Sequence, residues 1–326
     1  MDTTTVIKKT FYFPSANGEQ PIHAICWLPG YDKKIKAILQ ISHGMAEHIE
    51  RYDNFARFIT HYGFAVYAND HIGHGLSVNL KSAYGYFGSS NGRKHIVEDM
   101  HQLTLIAKKE HPGKPFFLLG HSMGSFLSRK YTTKYGSELT GAIYMGTGNG
   151  DPFLKIGILL SRLLTTIKGP TSTGNFLDRL AFGQFNKRIP HPVSQYDWLS
   201  VSKENVQNYL SDPLSGFTFT NSAFYELFSL INEVTNKNWA KQIPHNLPIL
   251  LIAGEEDPVG NYGKGIIQTA NLLKNAGVKH ITIKLYKNMR HEILNEKNKS
   301  DVYEFISHWL FKQLNDQVVS NQTNSH

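Results

Sequence analysis

Residues 120–124 read Gly-His-Ser-Met-Gly and place a serine between two glycines. An apolar run that predicts a buried strand precedes this motif, and an amphipathic stretch that predicts a helix follows it. In that context the glycines allow a sharp turn, which exposes the serine hydroxyl at the carboxyl end of the strand. The pattern favours Ser122 as a nucleophile over the alternative, a glycine-rich bend with an incidental serine.

A serine hydroxyl needs a base to take its proton and an acid to orient that base. Asp257 follows one predicted buried strand and His291 follows the next, so both lie where an open sheet gathers its ligands. Their order along the chain, serine then acid then histidine, fits a nucleophile on such a turn. Glu255 and Glu256 could form one solvated acidic loop with Asp257. Pro258 supplies a turn directly after Asp257 and favours it as the acid.

Backbone amides at a fixed turn can stabilise the oxyanion of a tetrahedral intermediate. One candidate donor is the N–H of Met123, the residue after the nucleophile. The second is the N–H of Met45, in the loop after a strand that ends at His43, where Gly44 permits close approach of the backbone. The three side chains and two amides together predict acyl transfer through a serine ester.

The elements that must position these residues alternate between buried strands and amphipathic helices. Apolar runs predict strands at 37–43, 64–70, 115–121 and 248–254. Helical spacing of apolar residues fills the intervals between the first three of them. This order predicts an α/β fold with a mostly parallel central sheet flanked by helices.

After the strand predicted at 139–146 the alternation stops for a long segment whose apolar residues recur at helical spacing. We therefore expect a helical cap inserted over 148–240. The core domain then comprises 1–147 and 241–314. The polar residues 315–326 are expected to form a disordered tail.

The first cap helix carries many apolar residues, and they could either pack as ordinary core or line an acyl pocket. We favour the pocket, with Leu159 and Leu163 as candidate lining residues, together with Trp198 later in the cap. An opened cap of a basic protein could also rest on an anionic lipid surface.

Charge and composition disfavour several other functions. The chain has 34 Lys and Arg residues against 26 Asp and Glu, a formal net charge of +8, but it contains no run of five basic residues. Nucleic acid is therefore not an expected partner. The histidines do not form an HExxH helix or a Cys/His site, so no metal is predicted.

Segments that would target the chain to a membrane are not expected either. No apolar stretch approaches the ~18 to 20 residues that span a bilayer, and the first ten residues contain no apolar core of a signal peptide. The single cysteine, Cys26, fits a reducing compartment. We expect a cytoplasmic protein.

These motifs resemble those of the monoacylglycerol lipase and lysophospholipase branch of the α/β hydrolases, grouped with the serine aminopeptidase S33-type hydrolases. The resemblance covers roughly residues 8 to 313 and rests on residues 43–48, 51–52, 70–75, 120–124, 257–259 and 291–292. It implies the α/β-hydrolase fold, the triad and the two methionine amides named above, a lid over an acyl pocket, and no cofactor.

Two departures from the family pattern concern the substrate. Relatives commonly have arginine where this chain has Ile72, and bacterial relatives often have Ser-Arg-Asp where this chain has Ser-Val-Ser at 200–202. The lid could therefore favour an ester substrate that differs from those of the family.

The sequence favours a serine hydrolase of lipid-like carboxylic esters. A peptidase or amidase with the same triad stays open, because a leaving amine needs the same histidine. A non-catalytic ligand receptor on this fold is disfavoured by the intact Ser122, Asp257 and His291.

Overall fold

The strands form one sheet in the computed structural model, which describes residues 5–31, 33–78, 80, 83–150 and 153–323. The strands are β1 Ile7–Pro14, β2 Pro21–Leu28, β3 Ala37–Ser42, β4 Phe64–Asn69, β5 Phe116–His121, β6 Gly141–Met145, β7 Ile249–Gly254 and β8 Ile281–Tyr286. Their order across the sheet is β1-β2-β4-β3-β5-β6-β7-β8. β1, β2 and β4 pair antiparallel, and all pairs from β4 to β8 are parallel. The predicted mostly parallel sheet is confirmed.

Helices cover both faces of this sheet, as the near-continuous apolar strands require. The helices are α1 Asp53–His61, α2 Gly92–Glu110, α3 Met123–Tyr135, α4 Leu154–Lys168, α5 Asn175–Phe182, α6 Lys203–Ser211, α7 Asn221–Val234, α8 Lys237–Ala240, α9 Lys264–Asn275 and α10 Lys299–Thr323. Every residue of β3 to β7 is buried, because helices pack against both sides of these strands. None of the helices in the described ranges is long and apolar enough to cross a bilayer.

The turn from β5 into α3 is built by two glycines in very close packing. A Cβ added to Gly120 would lie 2.2 Å from the carbonyl oxygen of Gly124. A Cβ added to Gly124 would lie 2.0 Å from the carbonyl oxygen of Ser42, at the end of β3. The first turn of α3 can therefore rest on the carboxyl ends of β3 and β5 only where side chains are missing.

Helices α4 to α8 lie between β6 and β7 in the chain, in the segment where the cap over 148–240 is predicted. They fall into two parts with different burial. Most of α7 is buried, and its Glu226 and Glu233 accept from Arg93 of α2 at 2.6 and 2.7 Å. Lys130 of α3 lies 2.9 Å from Glu233 as well. These ion pairs tie α7 to the helices of the sheet.

Helix α4 packs on the core with part of its apolar residues and leaves the others in solvent. Its partly buried Leu154, Ile158, Leu160 and Leu164 pack against the core cluster that includes residues of α7. Gly157 and Ser161 are the buried residues of α4, and a Cβ on Gly157 would lie 3.2 Å from the ring of Phe228 on α7. The exposed large apolar residues of the segment from α4 to α5 are Phe153, Ile156, Leu159, Leu163, Ile167, Phe176 and Leu180. Helix α4 is therefore a peripheral layer on α7.

Both ends of the inserted segment meet at a buried arginine on α3. The guanidinium of Arg129 donates to the carbonyl oxygens of Gly148, at 2.7 Å, and of Val234. The ring of Trp239 lies 4.1 Å from the guanidinium carbon, and its indole N–H donates to the Arg129 carbonyl at 2.8 Å. Arg129 thus joins the start and the end of the insertion to the helix that follows Ser122.

The final helix is longer than the sequence pattern predicts. The disordered tail predicted over 315–326 is replaced by helix as far as Thr323, and residues 324–326 lie outside the described part. The reason is local, since 315–323 contains neither glycine nor proline to end the helix.

Replacing Gly124 by alanine is expected to lower the free energy of unfolding by at least ~1 to 3 kcal/mol, because the added Cβ would overlap the Ser42 carbonyl. Gly113→Ala is the control, since its positive φ of +72° brings backbone strain while no atom lies within 4 Å of the added Cβ. Thermal unfolding of both variants measures the difference. An equal loss in the two would contradict the proposed packing.

Candidate active site

Ser122 lies between β5 and α3 in a strained backbone conformation. Its φ and ψ are +53° and −122°, a combination that costs a residue with a Cβ on the order of 1 to 3 kcal/mol. Its N–H donates to the Met145 carbonyl at 3.0 Å, and its carbonyl accepts from the Ser125 N–H at 2.8 Å. The surrounding strand and helix therefore hold the serine at the carboxyl edge of the sheet.

His291 and Asp257 are joined by a hydrogen bond at the same edge. The Nδ1–H of His291 donates to Asp257 Oδ2 at 2.9 Å, and the Val259 N–H donates to Asp257 Oδ1, also at 2.9 Å. Both side chains are buried. With Nδ1 carrying the proton toward Asp257, Nε2 of His291 is the nitrogen left to accept one.

The neighbouring glutamates do not take the place of Asp257. Glu255 and Glu256 are exposed, and the nearest cationic group to Glu256 is Arg290 Nε at 3.9 Å. Of the three acidic residues of this loop, Asp257 is the one that forms a hydrogen bond with His291.

Two glycines bring the loops of the site close together. A Cβ on Gly146 would lie 3.0 Å from Cε1 of His291, and a Cβ on Gly44 would lie 3.1 Å from Cβ of Ser122. No hydrogen bond joins the Ser122 hydroxyl to His291 among the described residues. Such bonds in enzymes without bound substrate are often long or poorly aligned and tighten only when substrate binds.

Of the two amides predicted to bind an oxyanion, one follows Ser122 in the chain and the other follows Gly44, which packs against Ser122. Met123 begins α3 directly after the serine, and Met45 follows Gly44 in the loop after β3. Neither N–H donates to a backbone carbonyl within the described ranges. Nδ1–H of His43 donates to the Gly44 carbonyl at 2.8 Å, which fixes the peptide unit that carries the Met45 N–H.

A buried group of charges lies directly behind this loop. Oε1 of Glu47 accepts from the Gly44 N–H at 2.5 Å and from the Tyr52 hydroxyl at 2.7 Å. Arg51 donates to Glu47 Oε2 at 2.8 Å and to both oxygens of Glu292 at 2.6 and 2.7 Å. Since Glu292 follows His291, the arginine links the loop of His291 to the loop of Met45.

These contacts shift the titration of the buried groups. Burial opposes the charged form of Glu47, but its hydrogen bond from His121 and the charge of Arg51 hold its pKa well below the usual range. Burial likewise opposes the charge of Glu292, and Arg51 still lowers its pKa. Sequence reasoning did not single out Glu47, Arg51 and Glu292 as a charged group. The i, i+4 spacing of Glu47 and Arg51 is the pattern that could have indicated a pair.

Of the three residues predicted to line the pocket, Trp198 lies beside His291, whereas Leu159 and Leu163 lie on the surface. The ring of Trp198 lies 5.1 Å from the ring of His291, centroid to centroid, and contacts the aromatic rings of Phe182 and Phe185. Leu159 and Leu163 are instead 67% and 51% exposed, on the outer side of α4. Core packing of these two leucines is thereby excluded, and their role in an acyl pocket stays a prediction.

Metal ligation has no support in the described part of the chain. No group of three or more His, Cys, Asp or Glu side chains is arranged there to hold an ion. The histidines 43, 71 and 74 are buried and contact one another through their rings.

Comparison with known proteins gives a consistent set of relatives. The family model described as serine aminopeptidase, S33, matches residues 33–298. A monoglyceride lipase homolog of Monkeypox virus is 30% identical over 86% of this chain and 91% of its own. The monoglyceride lipase of Rattus norvegicus is 27% identical over 84% and 82%. A thermostable carboxyl esterase from Bacillus coagulans, solved with glycerol, superposes with a TM-score of 0.89 at 31% identity over 95% of this chain and all of its own.

The strain at Ser122 leads to a prediction that is independent of substrate. Ser122→Gly and Ser122→Ala are both expected to be inactive, but the glycine variant should be more stable by ~1 kcal/mol, because only glycine adopts the positive φ without a Cβ clash. The matched pair Lys134→Gly and Lys134→Ala, within α3, should show the opposite order. Thermal unfolding checks both pairs, and a Ser122→Ala protein as stable as Ser122→Gly would contradict the strain.

Proposed function

The chain belongs to the serine aminopeptidase S33 family of α/β hydrolases and is a serine hydrolase of carboxylic esters, and on that premise we propose that it cleaves monoacylglycerols through an acyl-enzyme on Ser122. The proposal is carried by the buried His291–Asp257 pair, with its 2.9 Å hydrogen bond, at the sheet edge where Ser122 stands. The names of the viral and rat relatives support the choice of a glycerol monoester, as does the glycerol bound to the related esterase.

In the first half of the reaction, Ser122 Oγ attacks the ester carbonyl carbon while Nε2 of His291 takes the hydroxyl proton. Asp257 stabilises the imidazolium and keeps Nδ1 as the donor. The carbonyl oxygen, now an oxyanion, accepts from the N–H groups of Met45 and Met123. The bond to the glycerol oxygen then breaks, and His291 gives its proton to that oxygen, so glycerol leaves.

In the second half, water attacks the acyl group on Ser122 and His291 takes a proton from that water. The second tetrahedral intermediate collapses when the bond to Ser122 Oγ breaks, and His291 returns the proton to the serine. The products are a fatty acid and the free enzyme. Every proton moves through Nε2 of His291, so the reaction needs no second general acid or base.

The exposed layer formed by α4 and α5 supports contact with a lipid surface. Its apolar side chains are accompanied by exposed basic residues, Lys155, Arg162, Lys168 and Arg179. Apolar side chains with surrounding cations are the composition of segments that lie in the interface of an anionic bilayer. Helix α4 of this layer packs on α7. Binding of the layer to a membrane would therefore bring the lipid ester close to the rest of the cap.

The triad is tested by three single variants and two kinds of substrate. Ser122→Ala and Asp257→Asn are expected to lower kcat for a monoacylglycerol by ~10⁴-fold, whereas Glu256→Gln, at an exposed neighbouring carboxylate, should stay within about twofold of wild type. Turnover of p-nitrophenyl esters without turnover of aminoacyl anilides would support an esterase. Faster cleavage of the anilides would show a peptidase, and a larger loss in Glu256→Gln would refute Asp257 as the acid.

The lipid surface is tested with charge on the outer face of α4. Leu163→Asp and Leu159→Asp are expected to reduce hydrolysis of monoacylglycerol in anionic vesicles by ~10-fold, because an anionic side chain replaces an apolar one at the contact. The same variants should hydrolyse dissolved butyrate esters normally and unfold at the wild-type temperature, since both leucines are exposed. Leu105→Asp is the control, because Leu105 on α2 has the same 51% exposure as Leu163.

Two results would contradict this surface. An equal loss on vesicles in Leu105→Asp would show a general effect of surface charge. A loss on dissolved laurate esters as large as on vesicles would show that the leucines line an acyl pocket and do not touch the bilayer.

A further inference from the structure

The loop that carries the Met45 amide is held in an unfavourable conformation. Ala46, the next residue, has a φ of +51°, in the left-handed region that residues with a Cβ rarely adopt. The N–H of Ala46 belongs to the peptide unit on the C-terminal side of Met45, so its orientation fixes one side of the Met45 backbone. Contacts from outside the loop must therefore keep this geometry in place.

One contact comes from a histidine of the core. Nδ1–H of His74 donates to the Ile72 carbonyl at 3.0 Å, which leaves Nε2 as an acceptor for the Ala46 N–H at 3.2 Å. Burial lowers the pKa of His74 to about 3, helped by the nearby His43. The ring is therefore neutral at working pH and can accept this hydrogen bond.

The opposing contacts come from the inserted segment between β6 and β7. The hydroxyl of Tyr209, on α6, donates to the Ala46 carbonyl at 3.0 Å. The N–H of Gly216, between α6 and α7, donates to the same carbonyl at 2.9 Å. Both polar groups of Ala46 are thus engaged, its N–H by the core and its carbonyl by the insertion.

The ring of Tyr209 is itself fixed. It is buried, the Arg51 guanidinium lies 4.8 Å from its centroid, and the Tyr196 ring lies 5.0 Å away. The hydroxyl of Ser202 caps the start of α6 by accepting from the Asn205 N–H at 3.3 Å. The hydroxyl of Tyr209 therefore reaches Ala46 from a rigid position.

We propose that Tyr209 and His74 are positioning residues that hold the loop of Met45 in the conformation in which its amide can receive the oxyanion. The proposal rests on the proposed function, because it assigns a purpose to a loop beside Ser122. It gives the segment around α6 a share in transition-state stabilisation, separate from any contact of the cap with the acyl chain. The effect of removing either residue should thus be the same for short and long esters.

The test uses a trifluoromethyl ketone, which adds to a catalytic serine as a hemiketal and puts an oxyanion where the intermediate has one. Tyr209→Phe keeps the ring and removes the hydroxyl. We expect kcat to fall ~10-fold on butyrate and laurate esters alike, with KM within about twofold, and the Ki of the ketone to rise by the same factor. This is less than the ~10² to 10³-fold loss caused by deleting an oxyanion donor outright.

The second pair of variants tests the core side of the loop. His74→Leu removes the acceptor and should show the same pattern, whereas His74→Gln offers an amide oxygen to the Ala46 N–H and should recover part of the loss. Tyr144→Phe is the control, because it removes another buried tyrosine hydroxyl, 2.7 Å from the Thr132 hydroxyl and away from the loop. It should leave kcat, KM and Ki unchanged.

Failure of this inference is distinguishable from failure of the proposed function. A Tyr209→Phe enzyme with kcat and Ki within twofold of wild type would overturn the positioning role, and so would a loss confined to laurate, which would place Tyr209 in the acyl pocket. Wild-type turnover by Ser122→Ala, or no inhibition of the wild type by the ketone, would overturn the proposed function instead.

Discussion

The close packing between the start of α3 and the ends of β3 and β5 is the constraint on which the site depends. Gly120 and Gly124 make this approach possible, because a Cβ at either position would overlap a carbonyl oxygen. The approach forces the residue between strand and helix into a positive φ, and that residue is Ser122. The same packing puts the first free amide of α3 beside the serine. The positions of the candidate nucleophile and of one candidate oxyanion donor thus follow from one steric condition.

Around that point the molecule uses buried polar contacts to fix loops that have no regular structure. Arg51 lies between Glu47 and Glu292 and thereby connects the loops of Met45 and His291. Burying three charged groups is costly, and such a group is stable because its members satisfy one another. Removing Arg51 would leave two buried carboxylates without their shared cation, whereas removing either glutamate would still leave one pair of Arg51 with a carboxylate. The arrangement therefore constrains the geometry of these loops more than it contributes to overall stability.

The sequence predicted those parts of the molecule that depend on local patterns. Apolar strands and the glycines around Ser122 were sufficient for the sheet and for the sharp turn at Ser122, and the positions of Asp257 and His291 after β7 and β8 followed from their strands. The ion pairs of Arg51 with Glu292 and of Arg93 with Glu226 join residues far apart in the chain, so no local pattern indicates them. The continuation of α10 past 314 was also missed, because polar composition was read as disorder where no helix-breaking residue occurs.

The inserted segment shows why apolar periodicity alone could not assign a role to α4. A periodic apolar stripe predicts a face that must be covered, yet in α4 the covered face includes Gly157 and Ser161, while Leu159 and Leu163 point to solvent. Gly157 allows α4 to approach α7, and Leu154, Ile158, Leu160 and Leu164 are partly buried against the core, so only part of the apolar residues of α4 face solvent. Another part of the insertion contacts the Met45 loop, through Tyr209 and Gly216, which both donate to the Ala46 carbonyl. The exposed layer of α4 and α5 is therefore separate in the chain from the residues that hold this loop.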